Sequence, residues 1–115
     1  MPDSVLTRYS CREFTPDPVT GEQLRAIVRV GMQAPTAKNE QPWEFLVVQS
    51  EQGREALAAS SPYAGSCRRA PVVIVALADL NRISPESPWW VQDMSACVEN
   101  MFIEAVEQGL GGVWL

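Results

Sequence analysis

Apolar residues recur at helical spacing in two stretches of the chain. The first follows a Thr-x-x-Gln capping box at Thr20, which predicts a helix from about residue 20 to 34. Pro35 ends this helix because proline disfavours helical geometry in the residue before it. The second helix is predicted from Asp93 to the residue before Gly109. Its apolar residues extend beyond one stripe, so we expect it to be buried on more than one side.

Two further stretches are apolar runs of strand length. Residues 43–49 (WEFLVVQ) are aromatic and β-branched and follow a polar loop at residues 36–41, which predicts a strand. Ser50 then opens a short helix that continues to about Ala59. Residues 71–78 (PVVIVALA) are continuously apolar, the pattern of a strand covered on both faces. We therefore expect this second strand in the middle of a sheet.

The remaining segments are predicted to be connections and a last strand. Proline, serine and asparagine mark residues 79–90 as a loop. Residues 111–115 (GGVWL) indicate a turn that enters a strand, and no polar segment follows it. The chain of 115 residues fits one domain. We therefore expect residues 1–115 to form a single domain that is cut at its C-terminal end.

Composition and charge narrow the possible classes of protein. A hydrophobic fraction of 46% and a charged fraction of 20% are those of an ordinary globular protein. The net charge of −5 and the lack of a basic run argue against a nucleic-acid surface. No apolar run approaches membrane-spanning length, and Met1 to Ser4 show no secretory leader. These features predict a cytoplasmic protein that binds neither nucleic acid nor membrane.

The cysteine and histidine counts limit the chemistry that side chains can perform. Cys11, Cys67 and Cys97 are odd in number and far apart, which favours reduced structural thiols over disulfides or a thiolate metal site. The chain contains no histidine, which excludes Ser-His-Asp and Cys-His nucleophiles and histidine metal ligands. We expect no metal site and no catalytic side chain, so any chemistry requires a cofactor or other groups.

Two arginines and a hydroxyl alternate near the N-terminus. In an extended segment Arg8, Ser10 and Arg12 would point the same way. Arginine matches phosphate oxygens in a bidentate manner, and serine adds a neutral donor. The three residues could therefore hold a phosphate, although a solvated surface patch explains the same pattern.

A short loop between two prolines carries the second group of polar residues. Residues 35–42 (PTAKNEQP) combine a hydroxyl, an amide and free backbone donors, so the loop could grip a planar polar ligand. Asparagine also commonly hydrogen-bonds its own backbone in turns. A plain connector between helix and strand is therefore the alternative interpretation.

Four motifs in order settle which of these interpretations we favour. The motifs are RYSCREF, APTAKNEQPWEF, the strand PVVIVALAD and a helix that begins at D-x-S-A and ends in EQGLGGVW. In this order they resemble the nitroreductase family over nearly the whole chain. The resemblance implies an α+β, three-layer fold in which a central, mainly antiparallel sheet is flanked by helices. It also implies an intertwined homodimer, with the helix at about residues 93–108 at the dimer centre.

The resemblance also implies which residues bind the cofactor FMN. Contacts with the FMN phosphate and ribityl chain are implied for Arg8, Tyr9, Ser10 and Arg12, with Tyr9 acting through its backbone. The loop residues implied to reach a flavin held mainly by the partner subunit are Pro35, Thr36, Ala37 and Asn39. A backbone donor to flavin N5 is expected beside Trp114, at or just after Leu115. Relatives continue beyond this point with a further basic residue for the phosphate.

The activity implied is that of an FMN-dependent oxidoreductase. Such an enzyme moves a hydride from NADH or NADPH to the flavin and onward to an electrophilic acceptor such as a nitroaromatic or a quinone. Relatives with the same fold also fragment flavin, dehalogenate substrates or oxidise azolines, and nothing in the sequence separates these chemistries. A non-catalytic FMN-binding or regulatory dimer and an α/β domain without a ligand are the remaining alternatives.

Overall fold

The computed structural model describes residues 3–86 and 88–115, which form five helices and two strands within those ranges. In chain order the elements are α1 (Asp3–Thr7), α2 (Gly21–Gly31), β1 (Trp43–Val48), α3 (Glu51–Ala58), α4 (Ser66–Arg69), β2 (Val73–Ala78) and α5 (Trp90–Glu107). Two short 3-10 turns cover Ala37–Asn39 and Leu80–Arg82. The expected loop at 79–90 thus contains a turn of helix, and it includes Ser87, which lies outside the described residues.

Helix α2 begins where its capping box predicts. The Thr20 side chain accepts a hydrogen bond from the Gln23 backbone, and the Gln23 side chain accepts one from the Thr20 backbone. The predicted end at residue 34 is wrong, because the helix stops at Gly31 and the next residues form a turn. A Cβ on Gly31 would lie 2.6 Å from Met101 Cγ, so this glycine lets α2 approach α5 closely.

Strands β1 and β2 pair in antiparallel register, with Trp43 opposite Ala78 and Val48 opposite Val73. Both predicted strands are confirmed, although each is shorter than expected by one or two residues at one end. The expected position of β2 inside a sheet is not found in the described part of the chain, where β2 pairs with β1 alone. Most β2 side chains are accordingly half-buried, and Leu77 is exposed.

Helix α5 is the centre of the core. It begins at Trp90, three residues before the expected Asp93, and its buried stripe consists of Met94, Cys97, Met101 and Ala105. This stripe packs with Ile27 of α2 and Trp43 of β1. Ile103 and Val106 of α5 are half-buried, whereas Trp90 and Val91 are exposed. A single chain therefore fully buries one stripe of α5, and burial on more than one side stays a prediction.

The C-terminal segment differs most from the sequence-based expectation. Gly109 has a φ of +77° and ends α5 as predicted. The expected strand at residues 111–115 is wrong, because only one bridge forms there, a parallel one between Gly112 and Ser10. The short helices α1 and α4 were not predicted either. Across residues 3–86 and 88–115, no helix combines the length and apolarity that a membrane crossing requires.

Candidate functional site

The Arg-x-Ser-x-Arg segment lies against the C-terminal segment and α5. The Cys11 backbone N–H donates to the Gly112 carbonyl at 2.9 Å, next to the Ser10–Gly112 bridge. A Cβ on Gly111 would lie 3.0 Å from the Cys11 side chain, so the small residue permits this close approach. The segment is therefore held in place by its main chain, and the side chains of Ser10 and Arg12 are exposed.

Arg8 and Arg12 have different surroundings. Arg8 Nε lies 3.4 Å from Glu99 Oε1 on α5, so its guanidinium is already half of an ion pair. Arg12 is exposed, and no carboxylate among the described residues lies within ion-pair distance of it. Its carbonyl accepts a hydrogen bond from Arg69 Nε at 3.3 Å. Of the two predicted phosphate ligands, only Arg12 is without a competing anion.

A groove with a positively charged wall lies beside Arg12. It has a volume of about 720 Å³ and is lined by Arg12, Glu13, Phe14, Pro16 and Arg69. The lining contains two guanidinium groups and one carboxylate, so its net charge is positive and the groove favours anions. The local charge contrasts with the net charge of −5 of the whole chain.

Ser10 and Tyr9 are both exposed. The Cys11 side chain raises the pKa of Tyr9 further above its ordinary value of 10.0, so the phenol stays neutral at physiological pH. The Cys11 thiol itself donates to the Glu13 carbonyl at 3.1 Å. Because Tyr9 is uncharged, it does not repel an anion bound beside it.

The loop at residues 36–41 has an unusual backbone. Lys38, Asn39 and Gln41 have φ values of 54°, 54° and 51°. Positive φ is uncommon outside glycine and costs free energy, and such residues cluster at functional sites. The Gln41 backbone N–H donates to Thr36 Oγ1 at 3.1 Å, and the Gln41 side chain donates to Asn39 Oδ1 at 2.7 Å. The Thr36 hydroxyl and the Asn39 amide therefore stabilise the loop internally.

Contacts outside the loop hold this strained conformation. The Ala37 backbone N–H donates to Asp93 Oδ1 at 2.9 Å, and Asp93 is buried. The Ser84 backbone N–H donates to Glu40 Oε2 at 2.7 Å. Lys38 Nζ lies 3.3 Å from Ser84 Oγ. Several partners outside the loop therefore fix one energetically costly backbone shape.

The structure attaches the two predicted binding segments to the same helix without joining them directly. Arg8 forms an ion pair with Glu99 of α5, and the Ala37 backbone N–H donates to Asp93 of α5. Six helical residues correspond to ~9 Å along the axis. Among the described residues, no hydrogen bond or ion pair links Arg8 or Arg12 to residues 35–39. Pro35 is exposed, as is Asn39.

Trp114 and Leu115 lie at the exposed end of the chain, with 55% and 57% of their surfaces accessible. The Trp114 ring packs against Phe102 of α5, with ring centroids 6.3 Å apart and planes inclined by 44°. Gly112 also lies close to the Phe102 ring, because a Cβ on Gly112 would lie 3.0 Å from that ring. Phe102 therefore positions the segment that carries the two predicted contacts.

Sequence reasoning missed three residues of the site. Asp93 was recognised as the start of a helix but not as the anchor of the loop. Glu99 and Arg69 carried no signal, since their partners lie far away in sequence. Across residues 3–86 and 88–115, no group of three or more potential ligands could hold a metal ion.

This chain is similar to known proteins in sequence and in fold. The sequence profile described as the Nitroreductase family matches residues 5–64, which include both predicted binding segments. The chain belongs to the nitroreductase family. An Archaeoglobus fulgidus member, provisionally named NADH dehydrogenase/NAD(P)H nitroreductase, is 33% identical over 111 residues. The match covers 96% of this chain and 64% of that relative, so the chain spans less than two thirds of its length.

Solved structures confirm the nitroreductase fold. A Clostridium acetobutylicum protein provisionally described as an NADH oxidase superposes with a TM-score of 0.94 at 40% identity, covering 98% of this chain and 68% of that one. A provisional nitroreductase from Desulfovibrio desulfuricans, solved in complex with FMN, gives a TM-score of 0.91 at 34% identity, with coverages of 98% and 66%. The expected α+β nitroreductase architecture is therefore correct.

Proposed function

We propose that this nitroreductase-family chain binds FMN and acts as an oxidoreductase that uses NADH or NADPH to reduce an electrophilic acceptor such as a nitroaromatic or a quinone. Family membership supports this proposal, as does the FMN complex of the D. desulfuricans relative. The name of the A. fulgidus relative supports a nicotinamide donor. The single observation that carries it for this chain is the groove in which Arg12 has no carboxylate partner.

The residues present fit the phosphate end of FMN. Arg12 and Ser10 are exposed on a segment whose main chain is fixed through Gly112. Arginine and hydroxyl donors form strong, charge-assisted hydrogen bonds with phosphate oxygens. We assign the phosphate and ribityl contacts to Arg8, Tyr9, Ser10 and Arg12, with Tyr9 acting through its backbone. Arg8 must exchange Glu99 for the phosphate or be shared between the two.

The strained loop fits the second half of the proposed site. Its internal hydrogen bonds occupy the Thr36 hydroxyl and the Asn39 amide oxygen, while the side-chain donors of Asn39 face solvent without a partner among the described residues. A loop with a fixed backbone pays little ordering entropy when it meets a ligand. We propose that Pro35, Thr36, Ala37 and Asn39 contact the flavin held by the other subunit of a homodimer.

The end of the described chain provides the third contact. Trp114 packs against Phe102, and Leu115 follows it and is exposed. We propose that the backbone at Trp114 and Leu115 approaches the flavin ring. A fixed backbone donor aimed at a ring nitrogen stabilises charge that develops there during hydride transfer.

FMN, when bound, supplies the hydride chemistry, and the protein supplies binding, orientation and electrostatics. Arg12 and Ser10 hold the phosphate, and the anchored loop limits the positions that the ring can adopt. No side chain of this chain needs to give or take a proton in the hydride step. The proposed role of the protein is therefore to position the ring between two binding segments.

Absorbance spectroscopy of the purified protein tests the proposal. We expect flavin bands that survive gel filtration and bleach when NADH or NADPH is added without oxygen. Flavin that stays bound but is not bleached by either nucleotide would indicate the non-catalytic alternative. Failure to retain added FMN at micromolar concentration would contradict the cofactor assignment.

A further inference from the structure

Two neighbouring arginines at the end of α4 have different uses. Arg68 Nε lies 2.6 Å from Glu55 Oε2, and this hydrogen bond lowers the pKa of Glu55 and raises that of Arg68. Arg69 has no carboxylate within ion-pair distance among the described residues. The charge of Arg68 is therefore neutralised locally, whereas that of Arg69 is not.

Arg69 connects α4 to the predicted phosphate-binding segment. Its Nε donates to the Arg12 carbonyl at 3.3 Å, and its Nη2 donates to Ser66 Oγ at 3.1 Å. Ser66 is buried, so it provides a fixed point for the guanidinium. The planar guanidinium fork thereby relates the Arg12 main chain to a buried residue of another element.

The main chain of Arg69 is itself fixed from the other side. Arg54 Nη1 donates to the carbonyls of Arg68 and Ala70 at 3.0 and 2.9 Å, which are the residues on either side of Arg69. Arg54 Nε also donates to the Gln49 carbonyl. Both ends of the Arg69 side chain are therefore fixed, the backbone by Arg54 and the guanidinium by the buried Ser66 hydroxyl.

We infer that Arg69 is a positioning residue for the phosphate-binding segment, and this inference rests on the proposed function. By holding the Arg12 carbonyl, Arg69 directs the Arg12 side chain into the groove that both residues line. Its action on a ligand therefore passes through Arg12 and concerns the phosphate end only.

Riboflavin, which has the same ring system as FMN but no phosphate, separates this role from a general structural one. We expect Arg69→Gln to weaken FMN binding about three- to tenfold, within the range for the net loss of one ordinary hydrogen bond, because the effect on the ligand is indirect. Riboflavin affinity should not change. Arg68→Gln removes the same charge from the adjacent position and should leave both affinities at the parental level. Fluorescence titration measures all four values.

A double-mutant cycle tests whether the effect passes through Arg12. In an Arg12→Ala background, Arg69→Gln should cause no further loss of FMN affinity, because the side chain that it positions is gone. Additive losses would overturn the inference, as would equal losses of FMN and riboflavin affinity or a parental FMN affinity in Arg69→Gln. A parent protein that does not bind FMN would instead contradict the proposed function.

Arg69→Lys provides a second variant if glutamine at this position lowers the melting temperature. Lysine keeps the positive charge, but one ammonium cannot reproduce the planar fork that serves both Ser66 Oγ and the Arg12 carbonyl. We expect the same selective loss of FMN affinity. Parental affinity in Arg69→Lys would show that charge alone suffices and would overturn the positioning role.

Discussion

The Ala37 backbone N–H and the Asp93 carboxylate are joined by a 2.9 Å hydrogen bond that spans 56 residues of sequence. Asp93 is buried in the first turn of α5, and Ala37 begins the 3-10 turn of the strained loop. One hydrogen bond therefore connects the loop that we propose contacts the flavin with the central helix of the core.

Replacing Asp93 should disturb the loop more than the rest of the fold. Asp93→Ala leaves a part-buried N–H without its acceptor, which costs about 1–3 kcal/mol of unfolding free energy. Asp93→Asn retains an oxygen acceptor and should cost less. We expect FMN affinity to fall in the alanine variant, as measured by fluorescence titration beside urea unfolding.

A matched control for Asp93→Ala is Asp79→Ala. The Asp79 carboxylate also accepts a backbone hydrogen bond, from Asn81 at 3.0 Å, and pairs with Arg82, but it makes no direct hydrogen bond to residues 36–41. The Asp79→Ala variant should have a lower unfolding free energy and an unchanged FMN affinity. Equal flavin affinity in parent and Asp93→Ala would mean that the loop does not need this anchor.

The strain in this loop could be predicted from the sequence only at one position. Asparagine tolerates positive φ better than most residues, which agrees with Asn39. Lys38 and Gln41 have no such preference, and their φ values depend on partners distant in sequence, including Asp93. The capping box of α2, by contrast, is local, and its prediction was correct.

Glu99 competes for one of the proposed phosphate ligands. Its carboxylate pairs with Arg8 at 3.4 Å, and both side chains are partly exposed. Glu99→Gln should therefore raise FMN affinity, by up to about fivefold, since partly exposed pairs contribute about 1 kcal/mol or less. Titration of FMN measures the change.

Glu107→Gln is the matched control for Glu99→Gln, because Glu107 is exposed near the end of the same helix and has no ion pair among the described residues. It should leave FMN affinity at the parental level. A weaker FMN complex in Glu99→Gln would show that Glu99 orients Arg8 for binding and does not compete with the phosphate.

The remaining differences between sequence and structure also come from long-range pairing. Residues 111–115 have the composition of a strand, but a strand requires a partner, and within the described chain only Ser10 pairs with Gly112. The uninterrupted apolar run of β2 likewise predicts a strand in the middle of a sheet, with a strand on each side. Within the described residues β2 has one strand neighbour, β1. Composition predicts the local conformation, while the extent of pairing depends on surfaces that the pattern does not specify.

Ile103 provides a test of the proposed homodimer. It is half-buried, and at 100° per residue it lies nearly opposite Met94 and Met101 of the buried stripe. A carboxylate there would be desolvated in a dimer centred on α5, at a cost of several kcal/mol. We expect Ile103→Glu to shift the protein to monomers in analytical ultracentrifugation and to lower FMN retention with it.

Tyr63→Glu serves as the control for Ile103→Glu, because Tyr63 is 84% exposed and follows α3, away from the α5 core. It should remain dimeric and keep its flavin. Should Ile103→Glu stay dimeric with full FMN retention, α5 would not be at the dimer centre.

The Cys97 thiol makes the stability of the folded chain depend on pH. It is fully buried, and burial raises the pKa of its thiol from 9.0 to about 11. Because the folded-state pKa is above the unfolded value, the folded state holds the proton more tightly. The resulting stability is complete below pH 9.0 and is lost as the pH rises toward 11. The unfolding free energy should therefore fall through this window, by at most about 1.4 kcal/mol per pH unit from this one group.

Urea unfolding at several alkaline pH values should show a shallower fall in Cys97→Ala, whereas Cys11→Ser retains Cys97 and should keep that thiol's contribution to the slope. Identical slopes in the parent and Cys97→Ala would contradict a role for this thiol in the alkaline loss of stability.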